Sequence, residues 1–187
     1  MSLAELKSQL PEYAKDLRLN LESVLGENGA PGLTQSQIAV VALASAIASR
    51  NAAFTASMAA WASEHADEDA LRGARAAAAI MGMNNVYYRF LHLVENDEYA
   101  TLRAGLRMNV MAKPGGSKID FELASLAVSA INGCGSCVAS HEKTLRKHEV
   151  GAQAVQSAAR IAAVVHGVAV ALEQAEVAGS SASRAAA

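Results

Sequence analysis

Helix-start signals recur along the whole chain, and no segment alternates polar and apolar residues two by two. Ser2 with Glu5, and Thr34 with Gln37, are capping boxes: a hydroxyl residue followed three positions later by an acid or amide. Ser117 stands ahead of another apolar run. Between these starts lie breakers: Pro11, the stretch from Gly26 to Gly32, Pro114-Gly115-Gly116, and the turn from His148 to Gly151. The punctuation predicts a short helix ending near Pro11, then helices over 12–25, 34–50, 52–65, 67–93 and 97–112. Another follows Ser117, and a long Ala/Val helix ends near Val177. Composition agrees, because hydrophobic residues make up 52% while aromatics are only 4%. That mix suits close helix–helix contact better than a sheet of β-branched and aromatic residues. The fold class expected is all-α.

The 187 residues suffice for one sizeable core. One helical domain is expected over 1–177, with a disordered tail over 178–187 that has nothing to bury. A faint repeat runs through the domain: Ser45-Ala46-Ile47 recurs as Ser129-Ala130-Ile131, a shift of 84 (129 − 45). The copies would cover about 34–93 and 118–177, and at that shift Arg50 falls on Cys134. A net charge of −2 offers no excess of cations to meet phosphates, so nucleic acid is not an expected partner. The first residues lack the basic-then-apolar order of a signal peptide, and no apolar run reaches the ~20 residues of a membrane span. The expectation is a cytoplasmic protein, in which paired cysteines serve redox chemistry more often than structure.

Reactive chemistry concentrates in Asn132-Gly133-Cys134-Gly135-Ser136-Cys137, with His141 four positions on. A Cys-x-x-Cys pair opens and closes a small disulfide ring. In a helix, offsets of three and seven put both cysteines and the histidine on one face. Cys134 would gain from a helix N-terminus, which favours a thiolate, and Cys137 from an imidazole one turn away. On these grounds alone either sulfur could attack first. Glu122, in Asp120-Phe121-Glu122-Leu123-Ala124, has apolar neighbours and is expected to serve as a proton acceptor with a raised pKa. No metal site is expected, since zinc motifs bring a second close ligand pair. Haem attachment needs a histidine where Val138 stands. Gly115-Gly116-Ser117-Lys118 follows a helical segment and lacks the spacing of a phosphate loop.

The order Glu122, Cys134, Cys137, His141 resembles the AhpD family of the carboxymuconolactone decarboxylase-like superfamily. Longer strings carry the resemblance across residues 1–177: Leu10-Pro11-Glu12-Tyr13-Ala14-Lys15-Asp16, Met81-Gly82-Met83-Asn84-Asn85-Val86, Gly105-Leu106-Arg107-Met108-Asn109, and Phe121 through Cys134. The resemblance implies an all-helical, internally duplicated subunit, with the dithiol in its second half, assembled as a homotrimer. It implies a dithiol peroxidase and disulfide reductase that serves an AhpC-type peroxiredoxin and reduces hydroperoxides weakly. The resemblance further implies that no cofactor is bound and that electrons come from dihydrolipoamide on an acyltransferase, which lipoamide dehydrogenase keeps reduced.

The same resemblance makes Cys137 the sulfur that forms the sulfenic acid or mixed disulfide and Cys134 its resolving, proton-donating partner. Glu122 and His141 become the proton relay. One position departs from the family: Ser136 stands where a histidine is expected just before the second cysteine. A hydroxyl passes a hydrogen bond but does not exchange a proton near neutral pH, so Ser136 would be at most a bridge. Two other functions share parts of this pattern. A carboxymuconolactone decarboxylase-type lyase shares the fold but has no need of adjacent thiols, and a redox-sensing interaction module would show no turnover.

Overall fold

The computed structural model describes residues 2–185, with side chains described as far as residue 177. Its nine α-helices among the described residues are α1 (Leu3–Ser8), α2 (Lys15–Val24), α3 (Gln35–Ser49), α4 (Ala52–Ser63), α5 (Glu68–Leu93), α6 (Glu98–Thr101), α7 (Lys118–Ile131), α8 (Gly135–Lys147) and α9 (Ala152–Ala185). Short 3-10 turns occupy Glu12–Ala14 and Asn109–Ala112, and no strand occurs among the described residues. Both capping boxes form as read: the Ser2 hydroxyl accepts from the Glu5 amide, and Thr34 accepts from Gln37. Asp67 and Ser117 cap α5 and α7 in the same way. Each cap satisfies backbone donors that helix geometry would otherwise leave unpaired.

Helices α3 and α7 lie at the centre. Ile38 to Ala46 and Phe121 to Ser129 are buried without a break, as expected of helices that are apolar all round. The two pack on each other, α9 lies against both, and α5 covers their other side. One apolar cluster joins α1, α2, α4 and α9 to α3 and α7 through Leu21, Phe54, Met58, Leu126 and Val165. A second joins α5 to the same pair through Leu71, Met81, Leu43 and Phe121. The stretch Ala152–Val177 of α9 is long and apolar enough to cross a membrane, yet its 18-residue apolar window is half buried inside the fold. In this fold it is a core helix.

Helices begin at Gln35, Ala52 and Glu68, and again in the same order at Lys118, Gly135 and Ala152. At the junctions, the left-handed residue is Arg50 in the first trio and Gly133 in the second, followed by the N-caps Asn51 and Cys134. Backbone geometry therefore sets Asn51, not Arg50, against Cys134.

Two boundaries differ from expectation. The helix predicted over 97–112 shrinks to α6; the chain then runs extended from Leu102, turns through Gly105 with φ +65°, and ends in the 3-10 turn. Residues 98–107 are all exposed, and a segment with no buried face lacks the packing that holds most protein helices together. At the other end, α9 continues to Ala185, past the expected end near Val177. The disordered tail expected over 178–187 falls where side chains lie outside the described residues.

Candidate active site

The dithiol sits where α7 stops and α8 starts, and the local sequence dictates both events. Gly133 takes φ +68°, a conformation that costs glycine little. Its amide bonds the Ala130 carbonyl at 3.2 Å, and the next amide, of Cys134, bonds the Ser129 carbonyl at 3.0 Å. This double closure is a Schellman ending for α7. Cys134 then serves as the N-cap of α8, and its carbonyl accepts from Val138 at 3.0 Å. Cys137 follows within the first turn of α8, and the two cysteines are joined as a disulfide with Cα atoms 5.3 Å apart. Both are buried, at 0% and 7% exposure.

A polar chain from α5, partly exposed at Arg89 and Asn132 and buried at Asn85 and Ser129, holds this junction. Arg89 donates to the Asn132 carbonyl, Asn132 Nδ2 donates to Asn85 Oδ1 at 3.0 Å, and Asn85 Nδ2 donates to Ser129 Oγ at 2.9 Å. Asn85 is fully buried, so each of its amide atoms needs such a partner.

The residues expected to move protons do converge. His141 lies one turn beyond Cys137 on α8, buried, with Nδ1 2.6 Å from Glu122 Oε2 on α7. The second Glu122 oxygen meets Lys118 Nζ at 2.7 Å, one turn back along α7. Burial is the largest influence on Glu122 and pushes its carboxyl up. The hydrogen bonds from His141 and Lys118, reinforced by their charges, outweigh it and hold the carboxyl below its ordinary value. The raised pKa expected from the sequence is thus reversed, first by the His141 hydrogen bond and then by Lys118, a cation at i,i−4 that apolar neighbours gave no hint of. Only the 3 and 4 residue spacing of a helix could have revealed it.

The other ring nitrogen, His141 Nε2, faces Met81 Sδ of α5 at 3.3 Å. Met81 is buried in the core, and its sulfur also touches the relay. A cavity of about 220 Å³ opens beside it, lined by Met81, Asn84, Tyr88, Met108, Met111, Ser136, Cys137, Ser140 and His141. Its walls are largely apolar and carry three thioethers. Cys137 faces this cavity, whereas Cys134 borders a separate surface groove with Ser129, Gly133, Val138 and Glu142. Ser136 is exposed, and its Oγ lies 3.6 Å from Cys134 Sγ, so a hydroxyl bridge here would reach Cys134 first. Among the described residues no group of three His, Cys, Asp or Glu side chains converges as metal ligands would.

Residues 97–179, which contain the dithiol, Glu122 and His141, match the Carboxymuconolactone decarboxylase family. Over most of its length the chain is also similar to curated proteins named alkyl hydroperoxide reductase AhpD. It is 51% identical to the one from Brucella abortus (strain 2308) over 176 residues, 94% of this chain and 99% of that protein. With the protein from Gluconacetobacter diazotrophicus the identity is 54% over 179 residues, covering 96% of this chain and 97% of the relative. The Frankia alni protein is 51% identical over 176 residues, 94% of both chains.

Proposed function

The chain belongs to the AhpD family, and from that premise we propose that it is a dithiol oxidoreductase of peroxide defence, cycling through the Cys134–Cys137 disulfide. In the oxidising half, the Cys137 thiolate attacks the disulfide of an AhpC-type peroxiredoxin or, more slowly, the O–O bond of an alkyl hydroperoxide. Cys134 then displaces the reduced peroxiredoxin thiol from the mixed disulfide, or water from the sulfenic acid, and the ring closes. In the reducing half, a dithiol donor of the dihydrolipoamide type opens the ring by exchange and leaves as a cyclic disulfide. The donor's own recharging falls to lipoamide dehydrogenase through a lipoyl-bearing acyltransferase. We place the enzyme in the cytoplasm as a homotrimer. Apolar side chains left uncovered on α5 and beyond it, among them Val86, Phe90, Leu93, Leu102 and Leu106, offer copies of the chain a surface on which to meet.

One observation carries this reading: Cys137 opens on the same cavity as His141, whose ring is backed by Glu122 and Lys118. A sulfur that must gain and lose a proton every cycle is thereby placed beside groups able to supply one. The apolar wall suits an alkyl peroxide or a lipoyl chain. The test sets oxidised protein against dihydrolipoamide, thioredoxin and glutathione side by side, then adds peroxiredoxin and hydroperoxide. Dihydrolipoamide should be the fastest donor, and Cys134→Ser should trap a mixed disulfide with oxidised peroxiredoxin through Cys137. Trapping only by Cys137→Ser, through Cys134, reverses the roles of the sulfurs. Reduction without any peroxide-linked turnover points to a sensor, and turnover of a carboxylated lactone to a lyase.

A further inference from the structure

We propose that Met81 is the positioning residue of the relay: its thioether accepts the hydrogen of His141 Nε2 and selects the doubly protonated imidazole, so that the histidine beside the dithiol works as an acid. The inference rests on the dithiol reading above and deepens it. A thioether sulfur can accept a hydrogen bond but has nothing to donate. At 3.3 Å from Met81 Sδ, an Nε2 without hydrogen would set lone pair against lone pair in a buried place. At the opposite nitrogen, 2.6 Å between Nδ1 and Glu122 Oε2 requires a hydrogen between them. Lys118 Nζ at 2.7 Å from the other oxygen makes Glu122 the carboxylate, so that hydrogen belongs to Nδ1. Both ring nitrogens therefore carry hydrogen.

The surroundings leave little else to set the charge of the ring. Helix α7 contributes Glu122 with Lys118 behind it. Helix α5 contributes Met81, the uncharged Asn84 and Asn85, the latter reaching the same sulfur at 3.9 Å, and on the cavity wall Tyr88, whose hydroxyl turns to Met108 Sδ at 3.9 Å. Its own helix places Cys137 and Ser140 on the shared cavity, and the 3-10 turn adds Met111.

A weak acceptor suits this post, because it orients the N–H toward the cavity wall without holding it fast. When the Cys137 thiolate attacks a hydroperoxide, an S–O bond forms and the O–O bond breaks, its electron pair leaving on the alkoxide. The alkoxide takes the Nε2 proton and departs as the alcohol, and His141 is left neutral. The sulfur is oxidised to sulfenic acid and the peroxide is reduced. Condensation with the Cys134 thiol releases water, and the relay regains its proton from solvent.

The test uses ¹⁵N NMR of the two histidine ring nitrogens in the full-length, oxidised protein at pH 7, together with the pH–rate profile of hydroperoxide reduction. Two variants are compared: Met81→Leu, a volume-conserving exchange that removes the acceptor, and Met81→Gln, whose amide oxygen restores one. Both His141 nitrogens should read as protonated in the parent protein. In Met81→Leu, Nε2 should lose that signature at the same pH while Nδ1 keeps it. The rate should fall about five- to tenfold, the size of one modest hydrogen bond, most steeply on the alkaline side. Met81→Gln should regain the Nε2 signature and come within about threefold of the parent rate. An unprotonated Nε2 in the parent protein overturns the proposal, whichever variants fold. So does a Met81→Leu protein with unchanged spectrum and profile, or equal slowing in both variants with parent-like spectra. The resting-state spectrum needs no substrate, so a parent protein that turns over no peroxide would sink the functional reading and leave the histidine assignment standing.

Discussion

Replacing Glu122 by Gln removes a charge while keeping shape, and the structure sets both the size and the pH course of the loss. Glu122 is 3% exposed and its carboxylate has two partners, His141 at 2.6 Å and Lys118 at 2.7 Å. A hydrogen bond to a charged group contributes roughly 1.5–3 kcal/mol, against about 1 kcal/mol for a neutral one. The Lys118 side chain is 45% exposed and can turn into water, so its share is discounted to about 1 kcal/mol or less. The His141 contact keeps its full weight because both partners are buried. Since the Gln amide retains part of each bond, the expected loss is about 2 kcal/mol near neutral pH.

The sign follows from a carboxyl held below its ordinary value in the folded protein. Its stabilisation is complete above the unfolded value of about 4.3 and is lost as pH falls through the lowered folded value. Urea unfolding of the oxidised protein and of Glu122→Gln, from pH 7 down to about 3, measures the gap directly. The gap should close on the acid side, as pH falls below the unfolded carboxyl value of about 4.3. A gap under ~0.5 kcal/mol at neutral pH, or one that stays open down to about pH 3, refutes the argument. The same variant should slow dithiol oxidation by roughly 10²-fold, as expected when acid–base help is lost.

Other outcomes follow from the same geometry. Ser136→Ala should change dithiol oxidation by less than about threefold, since Ser136 is exposed and its hydroxyl contacts Cys134 Sγ rather than the His141 ring; a loss as large as that of Glu122→Gln would make it essential. Ser136→His should be neutral or faster near pH 7, read from the same pH–rate profile, because it adds a titrating group on the rim of the cavity. Arg89→Ala should unpin the Asn132 carbonyl and loosen the turn ahead of Cys134. Faster amide exchange at Gly133 and Cys134, with a stability loss of about 1–2 kcal/mol, would show it; unchanged protection there would contradict the role.

Most of the helical plan is written locally. Capping boxes, breakers and an Ala-rich aliphatic composition involve residues three or four apart, and the structure forms the caps at Ser2, Thr34 and Ser117 as the sequence announces them. The turn at Asn132-Gly133 and the placing of Cys134 at a helix start are equally local. Glu122 and His141 were legible as a spacing, and the fold brings them into contact across two helices.

What the sequence by itself left undecided depends mostly on partners brought together by the fold. The ionisation of Glu122 turns on His141 of the next helix together with Lys118 one turn away, and the far side of His141 on a methionine sixty residues earlier. The methionine leaves no periodic trace, because a side chain's charge state and hydrogen-bond direction follow its surroundings rather than its neighbours in sequence. Residues 98–112 fail for the same reason in reverse. Local propensity there favours a helix, but no buried face rewards one, and the segment instead sends Met108 and Met111 into the wall of the cavity.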